Sequence, residues 1–131
     1  MTISSRPASS GMLNLDTHIL IKALEGALTA HERTVLSRDA DWSISAIVLW
    51  EIEKLHERER LQYGLDYPPL ATALDRLEIW PIDRAVCLSL RSLDFESDPA
   101  DELIAATSLT HRIPLVTRDR RIRKSKLIRC L

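Results

Sequence analysis

Short apolar runs alternate along this chain with stretches whose apolar positions recur at helical spacing, and that alternation restricts the fold more than any other feature. Residues 13–16, 42–44, 77–81 and 113–116 read as buried strands, and residues 127–130 as a last edge strand. None of these runs is long enough for a helix. Strands separated by helical stretches close into an α/β sandwich with a mainly parallel central sheet, because parallel neighbours need crossover connections.

The helical stretches carry their own start signals. Residues 17–24 place Leu20 and Leu24 four apart, with Ile21 beside them, and a second short helix is expected around residues 27–38. Ser45 is a good N-cap for a helix to about residue 58, whose inward stripe is Ile47, Val48, Ile52 and Leu55. The Tyr67-Pro68-Pro69 turn opens a helix to about residue 76, and Asp83 caps another to about residue 93. Asp98 followed by Pro99 is a strong helix start, with the apolar positions Leu103, Ile104, Ala106 and Leu109 behind it. The polar stretch 1–11 is expected to be a disordered extension, with Met12 a candidate start and residues 12–131 one domain.

Several function classes drop out on composition. A chain of 131 residues with 45% hydrophobic content and a net charge of −1 is expected to be a soluble globular domain. No apolar run reaches the ~20 residues of a membrane span, and the opening lacks the apolar core of a secretory signal, so a cytoplasmic location is expected. Cys87 and Cys130 have no CxxC partner, which argues against structural zinc and a disulfide framework. Gly11, Gly26 and Gly64 cannot compose a GxGxxG or P-loop motif. The four histidines show no ligand spacing on one helix face and read as structural or surface residues.

Four acids remain that lie against apolar runs, where an unpaired carboxylate is costly: Asp16, Glu51, Asp101 and Asp119. Asp16 and Asp119 follow strands, Asp101 falls in the first turn of a helix, and Glu51 lies nearly two turns into one. Gathered by a fold, they make an all-oxygen pocket suited to hard divalent cations. Such a site activates water and neutralises phosphoryl oxygens, with two ions ~3.5–4 Å apart in two-metal enzymes. Each acid also has a plain structural reading. Asp16 can cap a helix, as Asp98 does; Asp101 suits a capping box; Asp119 suits a turn.

The four acids lie in segments that resemble a known family. LNLDTH is similar to the opening strand and first acid of PIN domains, and SAIVLWEI to their Ser-to-Glu helix. DPADELIAATSL followed by IPLVTRD resembles the block that carries the third and fourth acids. Within that family the pattern is similar to the VapC-type toxin ribonucleases of bacterial toxin–antitoxin pairs, over nearly all of residues 12–131. The resemblance implies a three-layer α/β/α sandwich and a Mg²⁺- or Mn²⁺-dependent endoribonuclease with Asp16, Glu51, Asp101 and Asp119 as metal ligands and catalytic residues. It further implies supporting roles for Thr17 and Thr117, a homodimer, and a cognate antitoxin that lays a basic side chain among the carboxylates. Two positions depart from the pattern: Lys22 stands where relatives often have tryptophan, and Glu102 where an arginine is common.

Charge is unevenly distributed. Residues 112–131 hold eight of the 18 Lys and Arg residues and one acid, Asp119. Arg118, Arg120, Arg121, Arg123 and Lys124 are therefore candidate contacts to RNA phosphates, against the plain reading of a solvated surface. Two alternatives stay open: a PIN nuclease of RNA processing or DNA repair without a toxin role, and a regulatory α/β module that binds Mg²⁺ without cleavage.

Overall fold

The computed structural model describes residues 11–38 and 40–131. The expected disordered extension falls, apart from Gly11, outside the described residues. Four strands form one sheet: β1 (Met12–Leu15), β2 (Asp41–Ser45), β3 (Glu78–Trp80) and β4 (Leu115–Val116). Their order is β3-β2-β1-β4, and every pairing is parallel. Consecutive residues of a strand point to opposite faces. Leu13, Asn14 and Leu15 of β1 and Ser43, Ile44 and Ser45 of β2 are all buried, so the sheet is covered on both sides. The covering helices are α1 (Thr17–Glu25), α2 (Ala30–Leu36), α3 (Ala46–Glu57), α4 (Pro68–Leu74), α5 (Arg84–Ser89), α6 (Pro99–His111) and a short α7 (Arg120–Arg123). This is the α/β/α sandwich expected from the alternation of runs.

Helix starts follow local chemistry closely. Ser45 Oγ accepts the Ile47 N–H at 3.2 Å, Asp83 the Val86 N–H at 3.1 Å, and Asp98 the Asp101 N–H at 2.9 Å. Thr29 and Glu32 form a reciprocal capping box, which starts α2 at Ala30 rather than at residue 27. Gly26 ends α1 at φ 70°, and the Ala27 N–H reaches back to Lys22 O at 2.8 Å.

The ends of the strands and of one helix differ from expectation. β4 has only two residues because Pro114 offers no N–H and the Ile113 N–H closes α6 through Ser108 O. Residues 127–130 do not form an edge strand. The Leu127 and Ile128 N–H groups turn back onto Ser125 Oγ, leaving one parallel bridge between Leu115 and Cys130. The helix expected over residues 83–93 is α5 followed by a 3-10 turn at Leu90–Ser92.

The apolar core joins Leu13, Leu15 and Ile44 of the sheet to Ile19, Val48, Ile52 and Ile104 of the helices. One buried polar residue fixes α6 on the sheet. Asn14 Nδ2 donates to Ser108 Oγ at 2.9 Å and to Ile104 O at 3.3 Å. The helix that carries Asp101 is thereby held against the strand that leads into Asp16.

Candidate functional site

Strand order reverses at β1: the chain runs from β1 outward to β2 and β3, then crosses back to β4 on the other side. Open parallel sheets bind ligands beyond the carboxyl ends of the strands at such a switch point. Here Asp16 directly follows β1 and Asp119 lies three positions after β4. Because Leu15 pairs with Val116, Asp16 falls beside Thr117. Thr117 Oγ1 donates to Asp16 Oδ2 at 2.6 Å and accepts the Asp119 N–H at 3.0 Å. One threonine thus links the first and fourth acids.

Asp16 occupies the N-cap of α1, yet its side chain makes no capping hydrogen bond. Its carboxylate is left for other work, although it is only 5% exposed. Burial pushes its pKa upward; the Thr117 hydroxyl opposes that rise, and Asp119 adds to it. Glu51 projects from α3 and accepts a short hydrogen bond from Thr17 Oγ1. Its pKa is also raised, chiefly by burial, with further contributions from Asp16 and Asp98.

Asp101 is pushed up to about 7, first by burial and then by Asp98, with Asp16 and Asp119 contributing. It does not close a capping box. Ser97 Oγ donates to its Oδ2 at 3.1 Å, while the Ser97 N–H goes to Glu102 Oε2 at 2.9 Å. Asp98 is exposed and caps α6 through Oδ1, and its charge reaches both Glu51 and Asp101. Asp119 is no simple turn residue. Its Oδ1 accepts the Arg121 and Ile122 N–H groups at 2.8 and 3.0 Å, starting α7.

Asp16, Asp101 and Asp119 therefore lie within electrostatic reach of one another around one switch point, and Glu51 within reach of Asp16. None forms an ion pair with a described Lys or Arg. Three oxygen donors that burial and mutual repulsion hold back from ionising match the needs of a hard divalent cation. Among the described residues, no three Asp, Glu, His or Cys side chains stand close enough to form a ready metal cage. Binding one ion through three of the acids therefore requires side-chain movement.

The basic residues divide by what already holds them. Arg118 Nε and Nη2 both donate to Glu32 at 2.7 Å, and this paired guanidinium holds the Glu32 carboxyl down at about 2. Arg123 Nη1 donates to Thr117 O and Leu131 O, each at 3.1 Å. Arg121 Nη1 donates to Glu96 O at 2.8 Å. Arg120 and Lys124 have no such side-chain partner among the described residues. Sequence reasoning missed Ser97; its only signal was its place just before a capping aspartate.

A PIN-domain model matches residues 14–126. Ribonuclease VapC22 of Mycobacterium tuberculosis (strain ATCC 25618 / H37Rv) is 31% identical over 118 residues, spanning 86% of this chain and 90% of that protein. Among solved structures, VapBC2 of Rickettsia felis bound to a DNA fragment from their promoter superposes with a TM-score of 0.71 at 20% identity, covering 92% of this chain and 97% of that one. FitAcB of Neisseria gonorrhoeae gives 0.66 at 24%, covering 92% and 96%. These likenesses agree with the parallel sheet flanked by helices: the chain belongs to the PIN-domain family.

Proposed function

We propose that this protein is a metal-dependent endoribonuclease that hydrolyses RNA phosphodiester bonds and acts as the toxin of a toxin–antitoxin pair. The observation that carries the reading is the gathering of Asp16, Glu51, Asp101 and Asp119 at the β1/β4 switch point, with no ion pair to a described Lys or Arg. A relative that is itself a VapC ribonuclease supports the same class. Asp16, Glu51, Asp101 and Asp119 are the residues to hold Mg²⁺ or Mn²⁺. A divalent ion bound there supplies an activated water and stabilises charge on the phosphoryl oxygens.

The chain's own groups prepare that site. Thr117 orients Asp16 and tethers the Asp119 backbone, Thr17 holds Glu51, and Asp98 orders the first turn of α6. Asp16 is buried, so its attraction for a cation is stronger than at an open surface. The partner expected is a cognate antitoxin whose Arg- or Lys-containing tail lies across the acids, where Glu102 adds to the attraction. A toxin–antitoxin complex from Klebsiella pneumoniae is among the similar solved structures, which supports that partner class. We also propose a homodimer as the working unit and a cytoplasmic location. No helix among the described residues is long and apolar enough to cross a membrane.

The deciding experiment is incubation of the pure protein with total cellular RNA in Mg²⁺, in Mn²⁺ and in EDTA. Discrete cleavage with either metal and none in EDTA is expected. Equal cleavage in EDTA, or none under any condition, overturns the proposal.

A further inference from the structure

Beside the acids the surface opens into a groove of about 730 Å³, within the roughly 300–1,000 Å³ usual for ligand sites. Two residues belong to both places. Ser97, whose hydroxyl is held by Asp101, and Asp119, which caps α7, each line the groove. The groove therefore begins where the carboxylate site ends.

Three cations outnumber the two acids, Asp94 and Asp119, in its walls. Arg120, Arg121 and Lys124 line it. The Arg121 guanidinium is fixed in place by Glu96 O. Arg120 and Lys124 have no hydrogen-bond or ion-pair partner for their side chains among the described residues, so their donors are available. Phe95, the only phenylalanine in the chain, contributes an aromatic surface that is half-buried against the core. The end of the groove at Asp94 is shaped by that residue, which accepts Ser125 Oγ at 2.5 Å and the Lys126 N–H at 2.8 Å.

Cations beside an aromatic ring are the chemistry of single-stranded nucleic acid: phosphates pair with the charges and an unpaired base stacks on the ring. A base inside an A-form duplex is not free to stack this way. The basic tail expected of an antitoxin is attracted to the acids and repelled by these cations, so charge separates the two occupants. We propose that this groove is a single-stranded RNA subsite adjoining the carboxylate centre, with phosphates on Arg120 and Lys124 and one base on Phe95. The proposal rests on the ribonuclease reading above, and adds the path the strand takes from the site.

The test is fluorescence anisotropy with a labelled single-stranded oligoribonucleotide and the same sequence as a duplex, in EDTA. The variants are the Arg120→Ala/Lys124→Ala double, Phe95→Leu to keep apolar packing, and Phe95→Tyr to restore a ring. The double variant is expected to bind single strands at least tenfold more weakly. It should also lower the log–log salt slope by about 1.4, at ~0.7 per phosphate contact. Phe95→Leu should lose at least about fivefold, as base–aromatic stacking implies, and Phe95→Tyr should recover it. Duplex binding should not respond to Phe95→Leu. Unchanged affinity and salt slope in the double variant, or wild-type binding by Phe95→Leu, overturns the subsite. A poly-glutamate peptide bound with the same dependence on Phe95 overturns it in favour of an acidic protein segment. Failure here is distinct from failure of the ribonuclease reading. Normal metal-dependent cleavage with variants that bind like wild type sinks the groove alone. Absent cleavage with the expected binding losses sinks only the nuclease.

Discussion

Asp16, Asp101 and Asp119 differ in how each carboxylate is held, and the differences give separate predictions. Asp119 accepts two backbone N–H groups, Asp16 one threonine hydroxyl, and Asp101 one serine hydroxyl. Replacing any of the three by Asn is expected to lower cleavage by roughly a hundredfold, the order seen when a metal site is impaired. If Asp101→Asn cleaves at the wild-type rate, Asp98 takes over as the candidate ligand. Asp101 also makes a stability prediction. Its folded pKa, pushed up to about 7, lies above the ordinary 3.8. Between those values the unfolded chain releases a proton that the native protein retains. The metal-free fold therefore loses stability as pH rises from about 4 to 7, and the loss is complete above 7. Asp101→Asn should accordingly be more stable than wild type at pH 8, by on the order of 1–3 kcal/mol after allowance for partial solvent screening. The difference should close near pH 4, as thermal melts in EDTA across that range will show.

Two element junctions hold the site's surroundings together. Arg118 follows β4, and its bidentate pair with Glu32 ties that strand's exit to α2, while Glu32 also completes the α2 capping box. The Glu32 pKa is lowered to about 2, mainly by the Arg118 hydrogen bonds. Stability from this junction is therefore present above about pH 4.5 and is lost as pH falls through about 2. Glu32→Gln should lower the melting temperature at pH 7 by about 3–5 °C, corresponding to roughly 1 kcal/mol. The gap should shrink below pH 4.5, which melts of both proteins between pH 2 and 7 will test. The other junction is the end of α1. A Cβ added at Gly26 meets nothing within 4 Å, so only its φ of 70° resists substitution. Gly26→Ala is expected to cost about 1 kcal/mol in urea unfolding, with the m-value unchanged.

For the molecule as a whole, folding brings like charges together. Asp16, Glu51, Asp101 and Asp119 approach from four separate elements, and their repulsion opposes the collapse that assembles them. A cation bound only by the native state shifts the folding equilibrium by mass action. Mn²⁺ at about 100 times its dissociation constant should stabilise the protein by about 2.7 kcal/mol. EDTA should reverse the gain, and Asp101→Asn should show less of it. An equal rise in both proteins would place the metal elsewhere.

The architecture could be read from the chain because it depends on local periodicity. Apolar runs such as 13–16 and 42–44, set between helices capped by Ser45, Asp83 and Asp98, allow little except a parallel α/β sandwich. The four acids were also visible, since their place against apolar runs and the family resemblance of their segments are properties of neighbouring residues. Strand ends were less visible: Pro114, Ser108 and Ser125 redirect the backbone hydrogen bonds around β4 through contacts that no local pattern announces. The fate of the arginines was not visible at all. Arg118, Arg120, Arg121 and Arg123 are equivalent in a basic tail. Folding pairs Arg118 with Glu32, 86 positions away, binds Arg121 and Arg123 to main-chain carbonyls, and leaves Arg120 facing a groove. Ser97 belongs with them, because its hydroxyl acquires a role only when the loop before α6 turns it onto Asp101. Periodicity and capping act over a few residues and can be read in order along the chain. Charge pairing acts through space, and only the tertiary fold sets which charges meet.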